Sequence, residues 1–353
     1  MGLLGRKNDV SKMAKKTISE KSTIGKHESV ADPPRSHGRK PAISPSPPAP
    51  DFATLDGPSL VVKAIEIVEA YPGRLRTPEG AAGGLVVLPT GYRPIIIGDL
   101  HANRLHLERI IDHEENRADI EAGKAIVVIL GDAMHDDRTG HMKDMQSSVE
   151  IFDALLRLIV RYPGLVYYIR GNHDTFDERL RKSGIAQGLE FRKELLSRMG
   201  PEYLSATERF FESLPMFVIG EGFVITHAGP PRGGLVREEL IEIKRYPEKY
   251  HQLMWNRVNE FHGNASPKEY GEKDIRLVLD LLDMPADTHF IVGHNPLWSD
   301  GNKTGVWMNV IGIKNHHILY SGSGSRAPYF TYEDGELIVK LAVPKEPEVY
   351  YYA

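Results

Sequence analysis

Ala125-Ile126-Val127-Val128-Ile129-Leu130-Gly131-Asp132 is the stretch on which the fold turns. Its apolar run is mostly β-branched and does not alternate with polar residues, so it describes a buried strand that stops at a glycine. Working outward, Pro94-Ile95-Ile96-Ile97-Gly98-Asp99 and Leu165-Val166-Tyr167-Tyr168-Ile169-Arg170-Gly171-Asn172 have the same form. Between the first two strands, residues 103–118 place Leu105, Leu107, Ile110 and Ile111 at near-helical spacing. A second helix pattern runs from about Met145 to Val160, so the first half reads βαβαβ. Helical pattern continues over 176–213. Met216-Phe217-Val218-Ile219 and Phe223-Val224-Ile225-Thr226, joined by Gly220-Glu221-Gly222, predict a hairpin. Helices are expected over 235–260 and 273–284, and strands over 288–292, 317–321, 328–332 and 336–342. The class is α/β, a layered sandwich with a mixed sheet.

Each of the main strands ends in residue types that ligate metals. These ends are Gly98-Asp99-Leu100-His101, Gly131-Asp132, Gly171-Asn172-His173-Asp174, Thr226-His227-Ala228-Gly229 and Val292-Gly293-His294-Asn295. Ligands of open α/β sheets collect at the carboxyl ends of strands, so five such ends imply one shared site. The glycines allow sharp turns and close backbone approach. Asp99 and His101, two residues apart, are expected to point the same way in an extended stretch and grip one ion.

The 353 residues include no cysteine. Thiolate zinc sites, iron–sulfur clusters, disulfides and cysteine nucleophiles are excluded, which leaves His, Asp, Glu and Asn to hold a hard or borderline ion. Apolar content is 41%, charged content 26% and net charge -4, ordinary for a soluble enzyme and unlike a nucleic-acid binder. No stretch reaches the ~18 apolar residues of a membrane span, so a cytoplasmic protein is expected. Residues 1–51 are rich in Lys, Arg, Ser and Pro and read as a disordered basic tail, with a single domain over 52–353.

The series resembles the calcineurin-like metallophosphoesterases, and within them the phosphoprotein-phosphatase group, including its bacterial-type and diadenosine-tetraphosphatase-like branches. That group's order is GDxHG, GDxxDRG, GNHE, HGG or HAG, then a late His. Here the order reads Gly98-Asp99-Leu100-His101-Ala102, Gly131-Asp132-Ala133-Met134-His135, Gly171-Asn172-His173-Asp174, His227-Ala228-Gly229 and Gly293-His294. The resemblance implies an α-β-β-α sandwich with mixed sheets and two divalent ions, manganese first, with iron or zinc as alternatives. It assigns Asp99, His101 and Asp132 to one ion, and Asp132, Asn172, His227 and His294 to the other, with Asp132 shared. It makes a metal-bridging hydroxide the in-line nucleophile and His173 the general acid that protonates the leaving alkoxide. Asn172, His173 and Arg257, the last within Met254-Trp255-Asn256-Arg257, would contact the phosphoryl group.

The likeness breaks just after Asp132, where the chain reads His135-Asp136-Asp137-Arg138. His135 occupies the place of the carboxylate that orients the general acid. Asp136 or Asp137 is expected to replace that carboxylate, and Arg138 to be a displaced phosphate clamp. Ala102 stands where the group has glycine, and Ser321-Gly322-Ser323-Gly324-Ser325 replaces another of its segments. His106 and His113 read as surface residues, and His316 and His317 as structural ones. The expected activity is hydrolysis of phosphomonoesters, with phosphoserine or phosphothreonine in proteins as candidates. A dinucleoside tetraphosphate hydrolase or a phosphodiesterase with the same metals is the alternative.

Overall fold

The computed structural model describes residues 55–344, apart from 139, 261–265 and 298–300. The tail expected over 1–51 lies outside the described residues. In chain order the elements begin with α1 (Gly57–Glu69), β1 (Arg74–Arg76), β2 (Ala82–Val87), β3 (Arg93–Ile97), α2 (Arg104–Ile111), α3 (Asn116–Glu121) and β4 (Ala125–Ile129). Next come α4 (Gln146–Arg161), β5 (Val166–Tyr168), β6 (Arg181–Lys182), β7 (Ile185–Ala186), α5 (Gln187–Ser213), β8 (Phe217–Gly220) and β9 (Phe223–Thr226). The chain continues with α6 (Arg237–Ile241), α7 (Pro247–Trp255), β10 (Arg257–Val258), β11 (Glu269–Tyr270), α8 (Glu272–Leu281) and β12 (His289–Val292). Last are β13 (Val306–Met308), β14 (His316–Leu319), β15 (Pro328–Glu333) and β16 (Glu336–Leu341).

Two mixed sheets carry the fold. One has the order β16-β15-β3-β4-β5, the other β1-β2-β8-β9-β12-β14-β13. In the first, β3, β4 and β5 run parallel, with Ile97 opposite Ile129 and Ile129 opposite Tyr168. In the second, β12 runs parallel to β9 and β14. All five residues of β4 are buried, as an uninterrupted apolar run requires. Parallel neighbours end at the same edge, so Asp99, Asp132 and Asn172 leave the first sheet together, and His227 and His294 leave the second.

The expected sandwich and mixed sheets are observed, with local differences. The single helix foreseen over 103–118 is two short ones, because the chain turns at Asp112–Glu115 and Glu114 takes a left-handed φ of 47°. The helical stretch over 176–213 opens with the ribbon β6–β7, and α5 is interrupted at Gly200 (φ 82°) just before Pro201. The helix expected over 235–260 is split into α6 and α7 and gives way to β10 at Arg257. α1 was not anticipated, although Leu60, Val61, Ala64, Ile67 and Val68 repeat at helical spacing and form its buried face. Between α4 and α5, Phe152, Phe191, Tyr203, Phe210 and Phe211 form an aromatic cluster. Phe191 is also the floor of the loop behind Asp132.

Candidate metal centre

The strand ends of the two sheets meet in one buried crevice. Gly171 is required there because a Cβ would meet Asp132 Oδ1 at 2.2 Å. Gly293 is required likewise, since its Cβ would meet Asp99 Oδ1 at 1.9 Å. Asp132, His101, His135 and His294 adopt left-handed φ values of 50°, 43°, 67° and 58°. Such conformations cost energy in non-glycine residues and cluster where function demands a fixed geometry.

Asp99 is fully buried, and its Oδ2 accepts from the His294 amide at 2.8 Å. Its Oδ1 has no hydrogen-bond partner among the described residues. Asp132 Oδ1 accepts from the His173 amide at 2.7 Å, while Oδ2 lies 3.3 Å from His227 Nε2 and 4.0 Å from His101 Nε2. Asn172 Oδ1 receives His227 Nε2 at 2.9 Å and His294 Nδ1 at 2.8 Å. The histidines are oriented from behind. His227 Nδ1 donates to the Leu130 carbonyl at 2.7 Å, and His101 Nδ1 to the His135 carbonyl at 3.0 Å. Each ring is thereby fixed with Nε2 facing the carboxylates, the arrangement a metal-ligating imidazole needs.

Donor atoms of Asp132, His227 and His294 lie within 4.8 Å of one another, as do those of His101, Asp132 and His173. Asp132 belongs to both groups. The group with His101 contains His173, where Asp99 is expected from the sequence; Asp99 Oδ2 stands 3.8 Å from His101 Nε2. Asp99 and His101 do converge, but through the left-handed turn at His101 and not through an extended stretch.

The electrostatics fit a cation. Burial, with help from Asp132, pushes the Asp99 carboxyl well above its ordinary range. Asp132 is also buried, yet His227, His173 and His101 outweigh that and hold it well below. Burial would lower the His227 imidazole, but Asp132 and Asp99 raise it to about 9. A proton on His227 thus stands between two buried carboxylates where divalent charge would serve better. The unpartnered Asp99 Oδ1 and the all-oxygen-and-imidazole donor set suit divalent ions of the borderline class.

Around this floor the predicted wall is only partly assembled. Arg257 donates to Asn295 Oδ1 at 2.8 Å and lines a cleft of about 680 Å³ that reaches Asn172. Asp136 is not at His173: its carboxylate is taken by the backbone amide and guanidinium of Arg138. The structure therefore does not bring Asp136 to the position of an orienting carboxylate, because a two-residue turn closes on Arg138 first. Arg138 is correspondingly tied to Asp136, with its side chain 68% exposed. Asp137 accepts from Tyr320 Oη at 2.5 Å and from Lys182 Nζ at 3.2 Å. His173 Nδ1 instead meets His135 Nδ1 at 3.1 Å.

Several wall residues were missed. Tyr320 stacks on His101 at 5.1 Å between ring centroids, and Trp255 meets His294 edge-on at 5.9 Å. Tyr320 directly follows β14 and could have been found by the strand-end rule; Lys182 sits on a ribbon too short to signal itself. His106, expected at the surface, is buried, with Nδ1 donating to the Ser321 carbonyl at 2.8 Å. His316 and His317 are buried within β14 and hydrogen-bonded to Tyr270 and His289, consistent with structural roles.

Compared with known proteins, the chain matches the calcineurin-like phosphoesterase family model over residues 92–324. A probable serine/threonine-protein phosphatase of Encephalitozoon cuniculi (strain GB-M1) is 27% identical over 183 residues, 49% of this chain and 35% of that protein. The chain thus matches about a third of that relative's length. A protein serine/threonine phosphatase from Saccharomyces cerevisiae superposes with a TM-score of 0.58 at 14% identity, covering 82% of this chain and 90% of that one. A structure titled as a putative diadenosine tetraphosphatase gives a TM-score of 0.43 at 18% identity, over 73% and 98% of the two chains.

Proposed function

We propose, for a chain that belongs to the calcineurin-like phosphoesterase family, that its crevice hydrolyses phosphomonoesters with two divalent ions sharing Asp132. Within that family we read the chain as a metal-dependent phosphatase. The observation that carries it is the convergence on the Asp132 carboxylate of buried histidine nitrogens from four other strand ends. Asp99, His101 and Asp132 would hold one ion, and Asp132, Asn172, His227 and His294 the other. When bound, such ions lower the pKa of a shared water and offset charge on the phosphoryl oxygens. Manganese is the first choice for both, and a cytoplasmic setting goes with the same reading.

The protein's own groups supply the rest. Arg257, anchored by Asn295, clamps phosphoryl oxygens at the mouth of the crevice. His173 delivers a proton to the leaving oxygen. Its Nε2 lies 4.0 Å from Asp132 Oδ2, close enough to suit a ligand as well. The acid role is preferred because Asp99 offers an unpartnered buried carboxylate oxygen to the ion beside His101. His173→Ala should therefore keep its full metal content; loss of one ion would make His173 a ligand.

Phosphoserine or phosphothreonine in proteins is the leading substrate. One feature favours the alternative of a dinucleoside tetraphosphate. The cleft beside Asn172 carries Arg179, Arg257 and Lys268 next to the stacked rings of His251 and Trp255, a setting for several phosphates and a base. Turnover of a phosphopeptide, p-nitrophenyl phosphate, bis-p-nitrophenyl phosphate and a dinucleoside tetraphosphate with Mn, Zn and Mg separates the readings. Hydrolysis of the dinucleotide alone contradicts the phosphomonoester assignment.

A further inference from the structure

We propose that His135, and no carboxylate, is the positioning residue that orients His173 for proton transfer. This rests on the reading of His173 as general acid. The two Nδ1 atoms lie 3.1 Å apart, with ring centroids at 5.2 Å. One must donate and the other accept, so a single proton is held between the rings. With His173 Nδ1–H donating to His135 Nδ1, the opposite nitrogen of His173, Nε2, is turned toward Asp132 and the reacting centre.

The nearby carboxylates are otherwise engaged. Asp136 is bound by Arg138, Asp137 by Tyr320 and Lys182, and Asp174 by Tyr168 Oη at 2.6 Å and the Gly171 amide at 2.7 Å. His135 is held through its backbone, its Nδ1 and its ring face, while its buried Nε2 has no hydrogen-bond partner among the described residues. Its amide donates to Ser148 Oγ at 2.9 Å, and its fully buried ring lies edge-on against Phe191 at 5.3 Å. Its carbonyl accepts from His101 Nδ1. One residue of the loop behind Asp132 thus fixes a candidate ligand through its backbone and the acid through its ring.

In the step so arranged, a water oxygen forms the new bond to phosphorus and loses a proton, while the ester P–O bond breaks and its electron pair passes to the leaving oxygen. A proton carried at His173 Nε2 goes to that oxygen. His173 keeps its Nδ1 contact with His135 and regains the proton released by the water.

The test uses the full chain loaded with Mn²⁺ and two aryl phosphates, 2,4-dinitrophenyl phosphate with a good leaving group and phenyl phosphate with a poor one. A good leaving group needs no acid. His135→Ala should lower kcat on phenyl phosphate about 10- to 100-fold and on the dinitrophenyl ester less than about threefold. His135→Gln, which restores an acceptor, should recover most of the loss. If His135→Ala does not fold, His135→Leu fills the pocket against Phe191 without an acceptor and should show the same split. Equal losses on both esters, or no recovery with Gln, overturn the inference. If His173→Ala also loses equally on both esters, the acid reading itself falls. If His173→Ala splits the esters and the His135 variants do not, only the positioning role falls.

Discussion

The floor of the crevice and the wall behind Asp132 are built in opposite ways. The floor takes its side chains from the ends of buried parallel strands, where Asp99, Asp132, Asn172 and His294 each directly follow a glycine. The wall takes His135, Asp137, Lys182, Tyr320 and Arg257 from loops, a two-residue strand and strand termini far apart in sequence. Position on the floor follows from sheet register, whereas position in the wall follows from side chains that tie one another down. The floor should therefore fail all at once, and the wall piece by piece.

The largest effect is expected at the centre of the floor. Asp132→Asn should lower turnover by about 10³-fold or more, because on the proposed reading one carboxylate would serve both ions. Its far-UV circular dichroism should stay native. Activity within tenfold of the parent would break the comparison. Gly293→Ala comes next: its methyl would stand where Asp99 Oδ1 lies, 1.9 Å away. Displacing this proposed ligand should cost about 100-fold in kcat/KM with the fold retained. In the wall, Arg257→Ala should cost about 10- to 100-fold in kcat/KM, as for loss of one charge-assisted hydrogen bond. It should leave metal content unchanged.

Ion binding should depend on pH through His227, which the flanking carboxylates raise to about 9 in the metal-free protein. The ion must displace that proton, so affinity rises with pH, about tenfold per unit, and levels off above about 9. Calorimetric titration in buffers of different ionisation enthalpy should report the released proton; a pH-independent affinity would place the proton elsewhere. The smallest effect belongs to Ala102, which has a φ of 63° where the resembling group has glycine. Ala102→Gly relieves a strained backbone but loosens the unfolded chain, so Tm should rise by no more than roughly 1–3 °C. A drop of several degrees would mean that the Ala102 methyl packs usefully.

The same division explains what could be read from sequence. Asp99, His101, Asp132, Asn172, His227 and His294 were legible because each follows an apolar run, and parallel strands deliver their ends to one edge. The breaks in α5 at Gly200 and between α2 and α3 were blurred by helical spacing that continues across them. Asp136 was misplaced because nothing in the order His135-Asp136-Asp137-Arg138 says that the chain turns so tightly that Arg138 closes on it. Tyr320 and Lys182 reach Asp137 across separations of 183 and 45 residues, contacts that no local pattern encodes.

Metal stoichiometry tests the central assignment most directly. Inductively coupled plasma mass spectrometry on the full chain, after Mn²⁺ loading and removal of free ion, should find about two ions per chain. Asp132→Asn should find fewer than one. One ion or fewer in the parent, or two in the variant, would contradict a site in which Asp132 joins both ions.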